Sequence, residues 1–134
     1  MTASRPIIWV IDDRDLDSFI CKKIISNIVK DTVIETLNDG QTAIDRLMRL
    51  TKMQLPLMPD YIFLDINMPD MDGWQILDEF DRLKIFRDKT VHIFVLSSSV
   101  YVNDIIKSQT YPLVEDFITK PITSERVRTI FTAA

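Results

Sequence analysis

Short apolar runs recur along the chain, and longer segments of mixed apolar and polar residues separate them. The runs fall at residues 7–11, 32–37, 61–64, 91–96 and 116–118. Several are continuously apolar instead of alternating, which is typical of strands buried on both faces of a sheet. The pattern therefore predicts five short buried strands.

The separating segments repeat apolar residues every three or four positions, as one-sided helices do. In the first segment, the predicted buried face consists of Leu16, Phe19, Ile20, Ile24, Ile28 and Val29. The fourth segment, at residues 102–110, is shorter and more polar, and the last begins at Thr123 or Ser124, which both suit an N-cap. The alternation of strand and helix predicts an α/β fold, a doubly wound five-stranded parallel sheet with helices on both faces.

Length and composition narrow the class of protein. The 134 residues suit a single domain over residues 1–134, with a core at about 6–132 and no output domain. The formal charge of −4 provides no general basic surface for nucleic acid. Cys21 is the one cysteine, which favours a reducing compartment, and no apolar segment approaches the roughly 20 residues that span a membrane. We therefore expect a cytoplasmic protein that neither binds nucleic acid directly nor enters a membrane.

Polar residues end four of the five predicted strands, each at the carboxyl end. They are the pair Asp12 and Asp13, then Asp65, then Ser97, and Lys120 just beyond the last strand. Because the carboxyl ends of parallel strands meet at one edge of a sheet, these side chains should converge, although they are far apart in sequence. The convergence predicts a polar site at that edge.

The composition of this predicted site favours phosphoryl chemistry. Clustered carboxylates repel one another unless a cation compensates them, and Mg²⁺ prefers a few carboxylates together with phosphate oxygens. Asp65 can also act as a nucleophile that forms an aspartyl phosphate. The Lys120 ammonium and the Ser97 hydroxyl can each bind an oxygen of a transferred phosphoryl group.

Four motifs carry a resemblance to a known family. They are Ile-Asp-Asp at residues 11–13, the stretch from Phe63 to Gly73, Val-Leu-Ser-Ser at 95–98, and Phe-Ile-Thr-Lys-Pro at 117–121. In this order they make the chain resemble the response-regulator receiver domains of two-component signalling, chemotaxis regulators among them. The resemblance covers essentially the whole chain. It implies a flavodoxin-like sheet with strand order 2-1-3-4-5.

The resemblance also implies roles for the residues that would hold the metal ion and the phosphoryl group. Asp65 would be the phosphorylation site. Asp12 and Asp13 would bind Mg²⁺ together with Asp65 and the backbone carbonyl of Asn67. Lys120 would pair with the phosphoryl group.

Two further residues would form a switch, on the same resemblance. Ser97 would turn inward to bind the phosphoryl group, and Phe117 would alternate between outward and inward positions. Phe117 lacks the hydroxyl of the tyrosine common there, so it would act by packing alone. The peptide bond between Lys120 and Pro121 is expected to be cis.

The implied function is a signalling phosphoacceptor and not an enzyme. A sensor histidine kinase or a phosphotransfer protein would phosphorylate Asp65, adding about −1.5 to −2 charges at the sheet edge. The surface of the fourth helix, fifth strand and fifth helix would then change and bind an unknown downstream protein. A phosphorylation-driven homodimer stays open alongside a monomer.

Two other hypotheses compete with the phosphoacceptor function. A haloacid-dehalogenase-like phosphatase would need a second aspartate two positions after Asp65, where Asn67 stands. A degenerate receiver that binds partners without phosphorylation would not need Asp12, Asp13 and Lys120 intact. His92, the single histidine, begins a predicted strand and is better explained as structural than as a phosphodonor.

Overall fold

A parallel sheet forms the centre of the molecule, which the computed structural model describes for residues 5–99 and 101–132. The strands are β1 (Ile7–Ile11), β2 (Val33–Leu37), β3 (Tyr61–Asp65), β4 (His92–Ser97) and β5 (Val114–Thr119). All neighbouring strands are parallel, and their order is β2-β1-β3-β4-β5. The predicted doubly wound α/β fold and its strand order are confirmed.

Helices follow each strand, and polar side chains define where several of them begin. They are α1 (Asp15–Ile28), α2 (Gly40–Met53), α3 (Gly73–Arg82), α4 (Val102–Ser108) and α5 (Ser124–Thr132), with a 3-10 turn at Leu55–Leu57. Asp72 and Gln75 form a capping box at the start of α3. Of the two N-cap candidates for α5, Thr123 accepts a hydrogen bond from the backbone N–H of Arg126 at 3.1 Å. Within the described residues, no helix is both long and apolar enough to cross a membrane.

The two faces of the sheet carry separate cores, because successive residues of a strand point to opposite faces. On β1, Trp9 and Ile11 belong to the core beneath α2 and α3, whereas Ile8 and Val10 belong to the core beneath α1 and α5. These β1 residues are at most 1% exposed. Burial on both faces accounts for the continuous apolar runs in the sequence.

The predicted buried face of α1 is wrong at its amino-terminal end. Leu16 and Phe19 are 69% and 63% exposed, whereas the buried positions of α1 are Ser18, Cys21 and Ile25. Ser18 faces inward because its hydroxyl donates to the backbone carbonyl of Asp12 at 3.3 Å. The first turn of α1 therefore directs a polar residue at the end of β1 and leaves two large apolar side chains on the surface.

Gly73 allows α3 to begin directly against the end of β3. A Cβ atom at this position would lie 2.7 Å from the Cα of Ile66 and 3.0 Å from the carbonyl oxygen of Asp65. The first residue of α3 is thus a glycine because the backbone beside Asp65 leaves no room for a side chain.

Replacing Gly73 by alanine should lower the free energy of unfolding by about 1–3 kcal/mol, because backbone atoms must move to admit the methyl group. Gly40 is a matched control, since it is also the first residue of a helix but its close neighbours are side-chain atoms of Ile76 and Met71. Chemical denaturation of the two alanine variants measures the difference. Equal losses for both would contradict the backbone explanation.

Candidate phosphoryl and metal site

Three carboxylates converge at the carboxyl edge of the sheet, as the sequence predicts. Asp12 and Asp13 follow β1, Asp65 ends β3, and one oxygen from each lies within 4.8 Å of the others. Asp12 and Asp65 are only 1% and 2% exposed. This arrangement concentrates negative charge where water is largely excluded.

One oxygen of this cluster lacks a hydrogen-bond partner among the described residues. It is Oδ1 of Asp13, which is buried. A buried carboxylate oxygen without a partner is costly unless a cation or donor satisfies it. The three carboxylates suit a hard divalent cation, and Mg²⁺ commonly uses one or two carboxylates with phosphate oxygens and water. The residues present therefore fit Mg²⁺.

Lys120 supplies the positive charge beside the cluster. Its Nζ lies 2.7 Å from Oδ2 of Asp12, 3.1 Å from Oδ2 of Asp17 and 3.4 Å from Oδ2 of Asp65. Its backbone N–H donates to the carbonyl of Ser97 at 2.8 Å, which joins the ends of β4 and β5. The peptide bond to Pro121 is cis, as the resemblance implies.

The contact between Asp17 and Lys120 is absent from the sequence prediction. Asp17 lies in the first turn of α1, where acidic residues are common because the helix dipole favours negative charge. In the sequence it therefore looks like an ordinary first-turn acid. The structure instead makes it a hydrogen-bonding partner of Lys120.

Burial and neighbouring charges shift the pKa values of this site. Burial raises the pKa of Asp65 to about 6, the hydrogen bond from the backbone N–H of Asn67 opposes the rise, and the charge of Asp12 adds to it. Burial lowers the pKa of Lys120, but hydrogen bonds to Asp12 and Asp17 outweigh burial and leave it raised. The positively charged form of Lys120 is thus stabilised in the folded protein, whereas the ionised form of Asp65 is destabilised.

Ser97 lies at the end of β4 and is fully buried. Its hydroxyl donates to the side-chain carbonyl of Asn67 at 2.9 Å and accepts from the backbone N–H of Ser99 at 3.1 Å. The sequence prediction used only the backbone carbonyl of Asn67. In the structure, the side chain of Asn67 also takes part, because it accepts the hydrogen bond of the Ser97 hydroxyl.

Phe117 and the exposed side of α4 belong to the surface that is predicted to change on phosphorylation, formed by α4, β5 and α5. Phe117 is half-buried on β5 and packs against the core beneath α2 and α3. On α4 and its N-cap, Tyr101, Val102 and Ile106 are exposed apolar side chains. Phe117 and the exposed apolar residues at α4 are therefore close in sequence to Lys120 and Ser97.

A cavity of about 330 Å³ opens beside Lys120, between α1 and the segment after β5. Cys21, Leu96 and Ile122 provide apolar walls, and Arg14 and Ser98 are also part of its lining. Burial raises the pKa of the Cys21 thiol to about 12, so this part of the wall is a neutral, small apolar group. Asp17 and Lys120 also line the cavity, so it borders the ion pair between them.

The sheet order and the site define a class. An open parallel sheet with an acidic pair after β1, an aspartate at the end of β3 and a lysine after β5 is the arrangement of a receiver domain. The sequence model described as response regulator receiver domain matches residues 8–132. The chain belongs to this family of signalling domains.

Individual relatives agree with this assignment. Chemotaxis protein CheY of Listeria monocytogenes is 29% identical over 111 residues, which are 83% of this chain and 86% of that protein. A protein-glutamate methylesterase/protein-glutamine glutaminase of Treponema pallidum is 30% identical over 119 residues, 88% of this chain but 27% of that protein. The chain thus spans about a quarter of that relative's length. A two-component response regulator structure from Cytophaga hutchinsonii is 26% identical, with a TM-score of 0.86 over 98% of this chain and 97% of that one.

The raised pKa of Asp65 predicts how stability depends on pH in the metal-free protein. The folded value of about 6 exceeds the ordinary value of 3.8, so the folded state binds the proton first as the pH falls. The cost of an ionised Asp65 is therefore fully present above about pH 6 and is relieved between about pH 6 and 4. Asp65→Asn should raise the free energy of unfolding at pH 7.5 by on the order of 1–2 kcal/mol, and this gain should shrink toward pH 4.5.

Denaturant unfolding with EDTA across this pH range measures the effect. Asp15→Asn is the matched control, because Asp15 is an exposed acid at the start of α1. A gain for Asp65→Asn that does not change with pH would contradict the proposed cost of the ionised carboxylate.

Proposed function

We propose that this chain is a phosphoacceptor that receives a phosphoryl group on Asp65 from a histidine kinase or a phosphotransfer protein. The observation that carries the proposal is that the buried Asp65 carboxylate lies within 4.8 Å of oxygens of the acidic pair and 3.4 Å from the Lys120 ammonium. Receiver domains bind Mg²⁺ at an acidic pocket. The ion would be held by Asp12, Asp13 and Asp65, together with the backbone carbonyl of Asn67. Its positive charge would offset the repulsion between an incoming phosphoryl group and the Asp65 carboxylate.

The transfer needs little covalent chemistry from the chain. A carboxylate oxygen of Asp65 attacks phosphorus, the bond from phosphorus to the donor nitrogen breaks, and the electron pair leaves with the imidazole of the donor histidine. The oxygens of the group then need positive or hydrogen-bonding partners. Lys120 is close enough to provide one, because its Nζ already lies 3.4 Å from Asp65.

The Ser97 hydroxyl is the second such partner in this proposal. To reach a phosphoryl oxygen it would give up its hydrogen bond to the side chain of Asn67. Space released near the end of β4 would then allow Phe117 to move inward. The exposed Tyr101, Val102 and Ile106 support the surface of α4, β5 and α5 as the place where a downstream protein or a second copy binds.

The exposed apolar residues of α1 support a protein as the phosphodonor. A phosphohistidine must come within bonding distance of Asp65, so its carrier must contact the rim of the site. Leu16 and Phe19 lie on the first turns of α1, the helix that follows the acidic pair in the chain, and are largely exposed. Two exposed large apolar side chains on this helix suit contact with a protein surface better than contact with a small solute.

The competing functions have less support from this site. A phosphatase of the haloacid-dehalogenase type needs a proton donor two positions after Asp65, and the Asn67 amide is a poor one. A degenerate receiver has no need for a carboxylate cluster that leaves a buried oxygen of Asp13 without a partner. The intact set of acids and Lys120 favours phosphoryl transfer.

Incubation with acetyl phosphate and Mg²⁺ should add one phosphoryl group to the wild-type chain, because Asp65 is the nucleophile and needs a compensating cation. Asp65→Asn should show no adduct, EDTA should abolish it on wild type, and Asp15→Asn should be labelled normally. Intact-mass spectrometry at short reaction times measures the adduct. Labelling that persists in Asp65→Asn, or wild type without any adduct, would overturn the proposed function, and continued turnover of a phosphomonoester would instead favour the phosphatase.

A further inference from the structure

The ammonium of Lys120 is shared unequally by three carboxylates. Hydrogen bonds join it to Asp12 at 2.7 Å and to Asp17 at 3.1 Å, whereas Asp65 is 3.4 Å away. Lys120 therefore has its strongest contacts away from the carboxylate that is proposed to react. Any phosphoryl group on Asp65 must compete with the two nearer acids for this cation.

The two nearer acids differ in what metal binding would do to them. Asp12 belongs to the cluster whose oxygens lie within 4.8 Å of one another, so a cation in that cluster offsets its negative charge. Asp17 is not among the three residues of that cluster and lies on α1 instead. The hold of Asp17 on Lys120 would thus persist when a metal ion is bound.

We propose that Asp17 is a positioning residue that keeps Lys120 toward α1 in the resting protein and competes with the phosphoryl group for it. The proposal rests on the phosphoacceptor function of Asp65. The side chain of Asp17 is 30% exposed, so its ion pair with Lys120 is partly screened by solvent. A weak competitor of this kind tunes the strength of phosphoryl binding without preventing it.

Removing the carboxylate should strengthen binding of a phosphoryl mimic. Asp17→Asn should lower the dissociation constant for beryllofluoride with Mg²⁺ by about three-fold, as expected for loss of a partly exposed ion pair. Asp15→Asn is a matched control, because it makes the same charge change on the same helical turn at an exposed acid. Isothermal titration calorimetry measures the constants. Equal effects of the two variants, or weaker binding by Asp17→Asn, would overturn the proposal.

Two further variants separate positioning from a purely structural effect. In a Lys120→Met background, Asp17→Asn should no longer change beryllofluoride affinity relative to Lys120→Met alone, because the shared partner is gone. Asp17→Ser removes the carboxylate with a different side chain and should reproduce the gain in the wild-type background. An effect of Asp17→Asn that survives in the Lys120→Met background would contradict the role assigned to Asp17.

A measurement on the resting protein keeps this proposal distinct from the function on which it rests. In the metal-free protein, the NMR signal of the Lys120 side-chain ammonium should shift in Asp17→Asn and not in Asp15→Asn. If the signal shifts but neither wild type nor any variant binds beryllofluoride, the contact between Asp17 and Lys120 exists in solution. That result would overturn both the phosphoacceptor function and the proposed competition. Normal phosphorylation with no shift in Asp17→Asn would overturn the role of Asp17 alone.

Discussion

The structure depends on holding three carboxylates together at a buried edge of the sheet. Asp12 and Asp65 are almost fully buried, and Asp13 has an oxygen without a hydrogen-bond partner among the described residues. Mutual repulsion and lost hydration make this arrangement unfavourable in the absence of a metal ion, although Lys120 offsets part of the negative charge. The raised pKa of Asp65 expresses that cost. The site is therefore prepared to gain free energy when positive charge arrives.

The fold, and not local sequence, keeps these groups together. Parallel pairing of β1 with β3 brings Ile11 beside Leu64, so the residues that follow each strand must meet. Gly73 keeps α3 close to the end of β3, and the backbone bond from Lys120 to Ser97 fixes the end of β5 against β4. Because both faces of the central strands are packed, this edge cannot relax to separate the charges.

The sequence predicts the position of a residue when that position follows from the end of a strand. It does not predict the position when side-chain packing determines it. Continuous apolar runs predict buried strands, and the ends of parallel strands must converge, so the meeting of Asp12, Asp65 and Lys120 is predictable. Periodicity does not fix how a helix is rotated about its axis, and the inward Ser18 leaves Leu16 and Phe19 on the surface. The contact of Asp17 with Lys120 is equally invisible, because first-turn acids are common for another reason.

The resting contacts also determine what phosphorylation can achieve. The Ser97 hydroxyl is hydrogen-bonded to Asn67, and the Lys120 ammonium is hydrogen-bonded to Asp12 and Asp17. Both groups proposed to bind the phosphoryl oxygens therefore already have hydrogen-bonding partners within the protein. A phosphoryl group would replace these contacts and not simply add to them, and only the difference between the two sets shifts the equilibrium. Small differences give incomplete shifts, since moving a population from 1:99 to 99:1 takes about 5.5 kcal/mol. The side chains that compete for Ser97 and Lys120 therefore set the response as much as the phosphoryl group does.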